Sequence, residues 1–113
     1  MIPADRLRLE HMLEATLDAV SFARGRSRQD LAADRMLLFS LERALEIIGE
    51  AASKVSEEFR STTPEIPWAD IVGMRNRLIH AYFDVNLDIV WTTVASSLPE
   101  LARSLERLLA HSE

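Results

Sequence analysis

Cysteine is absent from this 113-residue chain, which removes disulfides, thiolate metal ligands and cysteine nucleophiles together and fits a reducing cytoplasm. Three glycines, four prolines and 6% aromatic residues are too few for the turns and β-formers of a sandwich or barrel. Long apolar runs are also missing. No stretch approaches the ~20 residues that cross a bilayer, and the opening Met1–Ile2–Pro3–Ala4–Asp5–Arg6 lacks the apolar core of a signal peptide. A soluble cytoplasmic protein with no membrane association is expected. Nor is there an excess of positive charge. The net charge of −5 counts against broad, non-specific nucleic-acid binding, although it leaves room for a local basic site. Twelve of the thirteen basic residues are arginines, so their placement matters more than their sum.

What remains is rich in Leu, Ala, Glu and Arg, all strong helix formers. The length suits one domain over residues 1–113, and the pattern predicts four helices. The first covers residues 3–24, with Leu9, Leu13, Thr16, Leu17, Val20 and Ala23 at helical spacing and Gly25 as its stop. Ser27-Arg28-Gln29-Asp30 has the form of a capping box. A long second helix follows over 28–59, with the stripe Leu37, Leu38, Leu41, Ala44, Leu45, Ile48, Ala52, Val55 and Phe59. Such a rod would run about 45 Å and overhang a small domain's core. After a Pro-rich loop a short third helix covers 67–81. Asn86 then caps a fourth over 87–110, whose seam is Leu87, Trp91, Val94, Leu98, Leu101, Leu105 and Leu108. Pro99 should kink this last helix, because proline lacks the N–H donor and clashes with the preceding turn. The expected fold class is all-α: an antiparallel four-helix bundle.

The third helix does not read as scaffold. Projected at about 100° per residue, Leu78, Ile71, Tyr82, Arg75, Trp68, Ile79 and Val72 share an arc of about 120°. Arg75 stands near the middle of that apolar face. A guanidinium there is costly unless it is paired or hydrogen-bonded, for example to Glu50 of the second helix. Asn76 and His80 lie one turn apart beside the arc. Elsewhere the signals are weaker. Arg24, Arg26 and Arg28 form a basic cluster that is more often solvated surface than an RNA or partner contact. His11 and His111 read as bystanders, and Trp68 and Trp91 as packing. Three scattered histidines without paired ligand spacing give no metal site.

The segment Arg75-Asn76-Arg77-Leu78-Ile79-His80-Ala81-Tyr82 has the form R-x4-H-x-Y. It resembles the signature of the HEPN superfamily, and with its trailing tyrosine it is most similar to the HepT-like toxins. The stretch from Leu41 to Ala51, Pro67-Trp68 before the motif and Trp91…Leu98-Pro99 after it extend the resemblance along the chain. The resemblance implies a metal-independent endoribonuclease toxin that needs no cofactor and acts as a homodimer with the motifs facing a shared cleft. It implies Arg75 and His80 as catalytic residues. It also implies a minimal nucleotidyltransferase antitoxin that adds AMP to Tyr82.

Chemistry independent of the resemblance suits those roles. RNA cleaved without metal uses its own 2′-hydroxyl as nucleophile and needs a proton-transfer group, which imidazole supplies near neutral pH. A guanidinium stays charged and grips phosphate with a planar fork. Asn76 could orient phosphate or ribose, and Arg77 could guide the polyanion. Arg75 and His80 lie about 140° apart on an ideal helix, so a two-fold partner that brings a second motif is expected. The competing reading is a non-catalytic helical module that docks a nucleotidyltransferase or presents substrate to it.

Overall fold

A computed structural model describes residues 1–80 and 86–111, with the backbone alone for residues 75 and 77–80. Every regular element among the described residues is helical. α1 spans Pro3–Ala23. It ends one residue earlier than expected, and Gly25 beyond it takes a φ of 73°, the left-handed conformation that a side chain would strain. α1 lies against both α3 (Arg35–Ser53) and the last helix, α7 (Leu98–Ala110). The expected face is largely the inward one, with Leu13, Val20 and Ala23 packed partly buried against the core. Leu9, Met12, Ala15, Thr16 and Ala19 are buried, whereas Leu17, assigned to the core from its spacing, is 46% exposed. Apolar residues surround much of α1, so periodicity alone does not place every one of them.

The single long second helix does not form. Three segments replace it: α2 (Arg28–Ala33), α3, and α4 (Glu57–Ser61). The first break is at Asp34, whose backbone is extended (φ −126°, ψ 98°). Its carboxylate accepts the Leu37 N–H at 3.1 Å and an Arg26 guanidinium N–H at 2.8 Å. A short acid that satisfies the orphan N–H of a following turn starts a new helix rather than continuing an old one. The second break follows Ser53. Ser56 accepts the Phe59 N–H at 3.2 Å and donates its own hydroxyl and backbone N–H to Asp5, at 2.6 and 2.9 Å. Asp5 is a carboxylate only 3% exposed. The expected 45 Å rod is thus replaced by a 19-residue α3, about 28 Å long. Ahead of α2 the capping box forms as read, with the Asp30 carboxylate accepting the Ser27 N–H at 2.7 Å.

The core gathers the expected α3 stripe, with Leu37, Leu41, Ala44, Leu45, Ile48, Ala52 and Val55 buried and Leu38 and Phe59 partly so. The C-terminal seam joins it: Val94, Leu98, Leu101 and Leu105 are buried, while Leu87, Trp91 and Leu108 pack at its edge. Asn86 caps the fourth region as predicted, accepting the Asp88 and Ile89 N–H groups at 2.9 and 3.2 Å. In place of one kinked helix, α6 (Leu87–Thr92) passes through a π-helical turn, Thr93–Ser97, into α7. Pro99 is the reason. It cannot donate to the Ala95 carbonyl four residues back, and the turn ahead of it is wider, with the Leu98 N–H reaching the Thr93 carbonyl five residues back. Two contacts fix the ends: Asp5 at the start of α1 meets Ser56 beyond α3, and Arg6 reaches the Leu109 carbonyl at 3.4 Å. No helix among the described residues is long and apolar enough to cross a membrane.

Candidate functional site

The motif helix, α5 (Trp68–His80), is fixed at its beginning. Ile66 is 2% and Trp68 8% exposed. The Trp68 indole N–H donates to Thr63 Oγ1 at 3.1 Å, and the Thr63 hydroxyl in turn donates to the Phe59 carbonyl at 3.2 Å. This chain of bonds satisfies the polar edge of a buried ring and ties the entry of α5 to the end of α4. Trp68 is therefore core, as its composition suggested. One to two turns on, the partly buried Ile71 and Met74 face α3 and the C-terminal rod across a groove of about 690 Å³, whose walls also carry Leu45, Ile48 and Leu101.

Beyond Met74 the helical backbone continues through Arg75, Asn76, Arg77 and His80. Asn76 is exposed. The side chains of Arg75, Arg77 and His80, and all of Tyr82, lie outside the described residues. Because the helix is regular to His80, the Cα positions of Arg75 and His80 stand about 140° apart around its axis.

Glu50, considered as a support for Arg75, is half-exposed and stands 3.6 Å from the Lys54 ammonium. A different carboxylate on α3 is unusual. Glu42 is partly buried, and burial first, then the neighbouring Glu46 carboxylate, pushes its carboxyl above the ordinary value. It is offset from the groove-lining Leu45 by three residues, about 60° around the helix. Sequence periodicity alone gives no sign of it. The basic cluster of the first loop is partly structural. Arg26 pairs with Asp34 at 2.8 Å and Asp30 at 3.4 Å, and Arg28 ties α2 to α6 through Asp88 at 2.6 Å. Arg24 is exposed. Of the bystander histidines, His11 and His111 are both exposed.

Residues 12–108, from α1 to the last turns of α7, match the model of the HepT-like ribonuclease family. The chain belongs to the HepT-like family. Among relatives of this HepT-like chain, a protein of Caldanaerobacter subterraneus subsp. tengcongensis named for RNase activity is 40% identical over 101 residues, 89% of this chain and 90% of its own. A Thermococcus cleftensis protein named a probable ribonuclease HepT is 40% identical over 100 residues, 88% of this chain and 91% of its own. A Methanocaldococcus jannaschii protein, also named for RNase activity, is 34% identical over 98 residues, 87% of this chain and 90% of its own. No solved structure matches the chain. The family match takes in α5 and the whole R-x4-H-x-Y segment, together with the α3 and α7 helices that frame it.

Proposed function

We propose that this HepT-like chain is a metal-independent endoribonuclease toxin that cuts RNA in a homodimer cleft. A minimal nucleotidyltransferase antitoxin neutralises it by adding AMP to Tyr82. The observation that carries the reading is a complete R-x4-H-x-Y in the sequence, its arginine and histidine in the second half of α5, in a chain of the HepT-like ribonuclease family. His80 takes the proton of the substrate's 2′-hydroxyl as its oxygen attacks the adjacent phosphorus. The bond from phosphorus to the 5′-oxygen breaks, the leaving oxygen gains a proton, and a 2′,3′-cyclic phosphate results. Arg75 stabilises the charge gathering on the non-bridging oxygens. Asn76 and Arg77 bind the backbone beside the cut. The offset of about 140° between Arg75 and His80 favours a cleft to which two subunits contribute. Glu42 is the α3 carboxylate suited to hold Arg75 in place, since it is partly buried on the helix against which α5 packs.

Neutralisation is equally concrete in chemical terms. The Tyr82 phenol oxygen attacks the α-phosphorus of ATP, pyrophosphate leaves, and the phenolic proton passes to a base of the antitoxin. The added AMP brings bulk and negative charge to a cleft built for a polyanion. Purified protein incubated with tRNA and mRNA in EDTA should cleave, and His80→Ala should not. Intact RNA with the wild type, or equal cleavage by both, rejects the nuclease. The net charge of −5 supports the second reading, a non-catalytic module that docks a nucleotidyltransferase. Intact RNA combined with AMP on Tyr82 after co-expression, read by mass spectrometry, would select it.

A further inference from the structure

The groove beside α5 has a chemistry opposite to that of an RNA site. Its floor is apolar, with Ile71, Met74 and Leu101 among its residues, and its rim carries the carboxylates of Glu65, Asp70, Asp88 and Glu100. Lysine and arginine are absent from the described residues that line it. Arg28 engages Asp88 from outside at 2.6 Å, while Glu65, Asp70 and Glu100 are exposed. We propose that this groove binds one amphipathic helix of a partner protein, with an apolar stripe turned inward and lysines or arginines along its flanks.

Shape and charge select that occupant. The wall contributed by α6, the π turn and α7 runs from Asp88 to Ser104, about 24 Å at helical rise. An open trough of that length accommodates about four turns of helix anchored at i, i+3, i+4 and i+7, whereas a small molecule is normally enclosed on most sides. Phosphates would meet three exposed carboxylates, so RNA is disfavoured. A second copy of a chain with net charge −5 would bring more charge of the same sign. A cationic helix instead complements the rim and gains in association rate and register from it. The inference goes beyond the nuclease reading and stands or falls without it.

The test uses the full chain and a fluorescent peptide of about 18 residues with leucines in one stripe and lysines elsewhere, beside a matched leucine/glutamate peptide. Anisotropy should show the lysine peptide binding at least about tenfold more tightly. A variant carrying Asp70→Lys and Glu100→Lys should reverse that order, and the milder Asp70→Asn with Glu100→Gln should abolish the preference. Both positions are exposed, so folding should persist, as a thermal melt would verify. Ile89, 38% exposed on the wall, supplies the apolar arm: Ile89→Ser should weaken the lysine peptide without altering charge. Equal binding of the lysine peptide to wild type and the charge-reversed variant overturns the proposal. So does its displacement by an RNA oligonucleotide. A charge-reversed variant that becomes monomeric where the wild type is dimeric also overturns it, because a second copy would then cover the groove.

Discussion

The two ends of α5 are built by different means. Its start is held by a buried tryptophan, a hydrogen-bonded threonine and Ile66. Its far end carries R-x-x-x-x-H, with Asn76 open to solvent. Between them, Ile71 and Met74 seat the helix beside α3. A catalytic helix needs both properties. Positioning a reacting group to within a fraction of an ångström depends on a rigid support, and substrate access depends on leaving the reacting end uncovered. Among its described residues, α5 joins a buried start to an exposed Asn76 within thirteen residues.

Substitutions at the two ends should therefore separate activity from stability. His80→Ala should lower RNA cleavage by at least about 100-fold, the usual scale of a lost proton-transfer group, with the helical circular dichroism spectrum retained. Loss of the fold instead would erase the distinction between the ends. Trp68→Ala should do the reverse. It removes a buried aromatic and its bond to Thr63, at a cost of about 3–5 kcal/mol in urea unfolding. Trp68→Phe isolates the hydrogen bond and should cost about 1 kcal/mol.

The anchor extends past α5. Asp5→Ala strips the partner from both the N–H and the hydroxyl of Ser56 and should destabilise by about 1–3 kcal/mol, again by denaturant unfolding. Asp5→Asn should recover part of that loss.

Glu42→Gln is the smallest change and sharpens the comparison most. The folded Glu42 carboxyl titrates above its ordinary value because of burial and then Glu46, so the folded state binds a proton more readily than the unfolded one. The ionised side chain is thus a penalty at neutral pH, and the penalty disappears as pH falls through the raised value. Glu42→Gln should stabilise the protein at pH 7 by less than about 1 kcal/mol, since the site is partly solvated, and the gain should vanish in acid. A Glu42 that held Arg75 would instead favour its ionised form, and the same variant would then lower both cleavage and stability. Activity and stability that rise together would remove Glu42 from the site.

The sequence was most legible where one physical signal acts alone. The seam from Leu87 to Leu108, the caps at Ser27 and Asn86, the turn at Gly25 and the core role of Trp68 were all read from spacing or from a single residue's chemistry. The long second helix was misread because its apolar stripe continues through Asp34 and Ser56. Periodicity records which side is oily and does not register a break made by Arg26 from one loop and by Asp5 fifty-one residues away. Pro99 signalled a defect but not its form, since the choice between a kink and a wider turn depends on which keeps Val94 and Leu98 in the core. The R-x4-H-x-Y segment was equally visible. Its surroundings were not, because Glu42 acquires its character only from burial and the acidic groove gathers residues from four separated stretches.

Residue order by itself determined that this chain is helical, where the caps at Ser27 and Asn86 lie, and which segment carries the R-x4-H-x-Y motif, because helix propensity, capping and motif spacing act over a few residues. Tertiary structure alone decided where the long rods break and which carboxylates share a groove. Those outcomes depend on hydrogen bonds and desolvation between groups far apart in the chain, which no local pattern records.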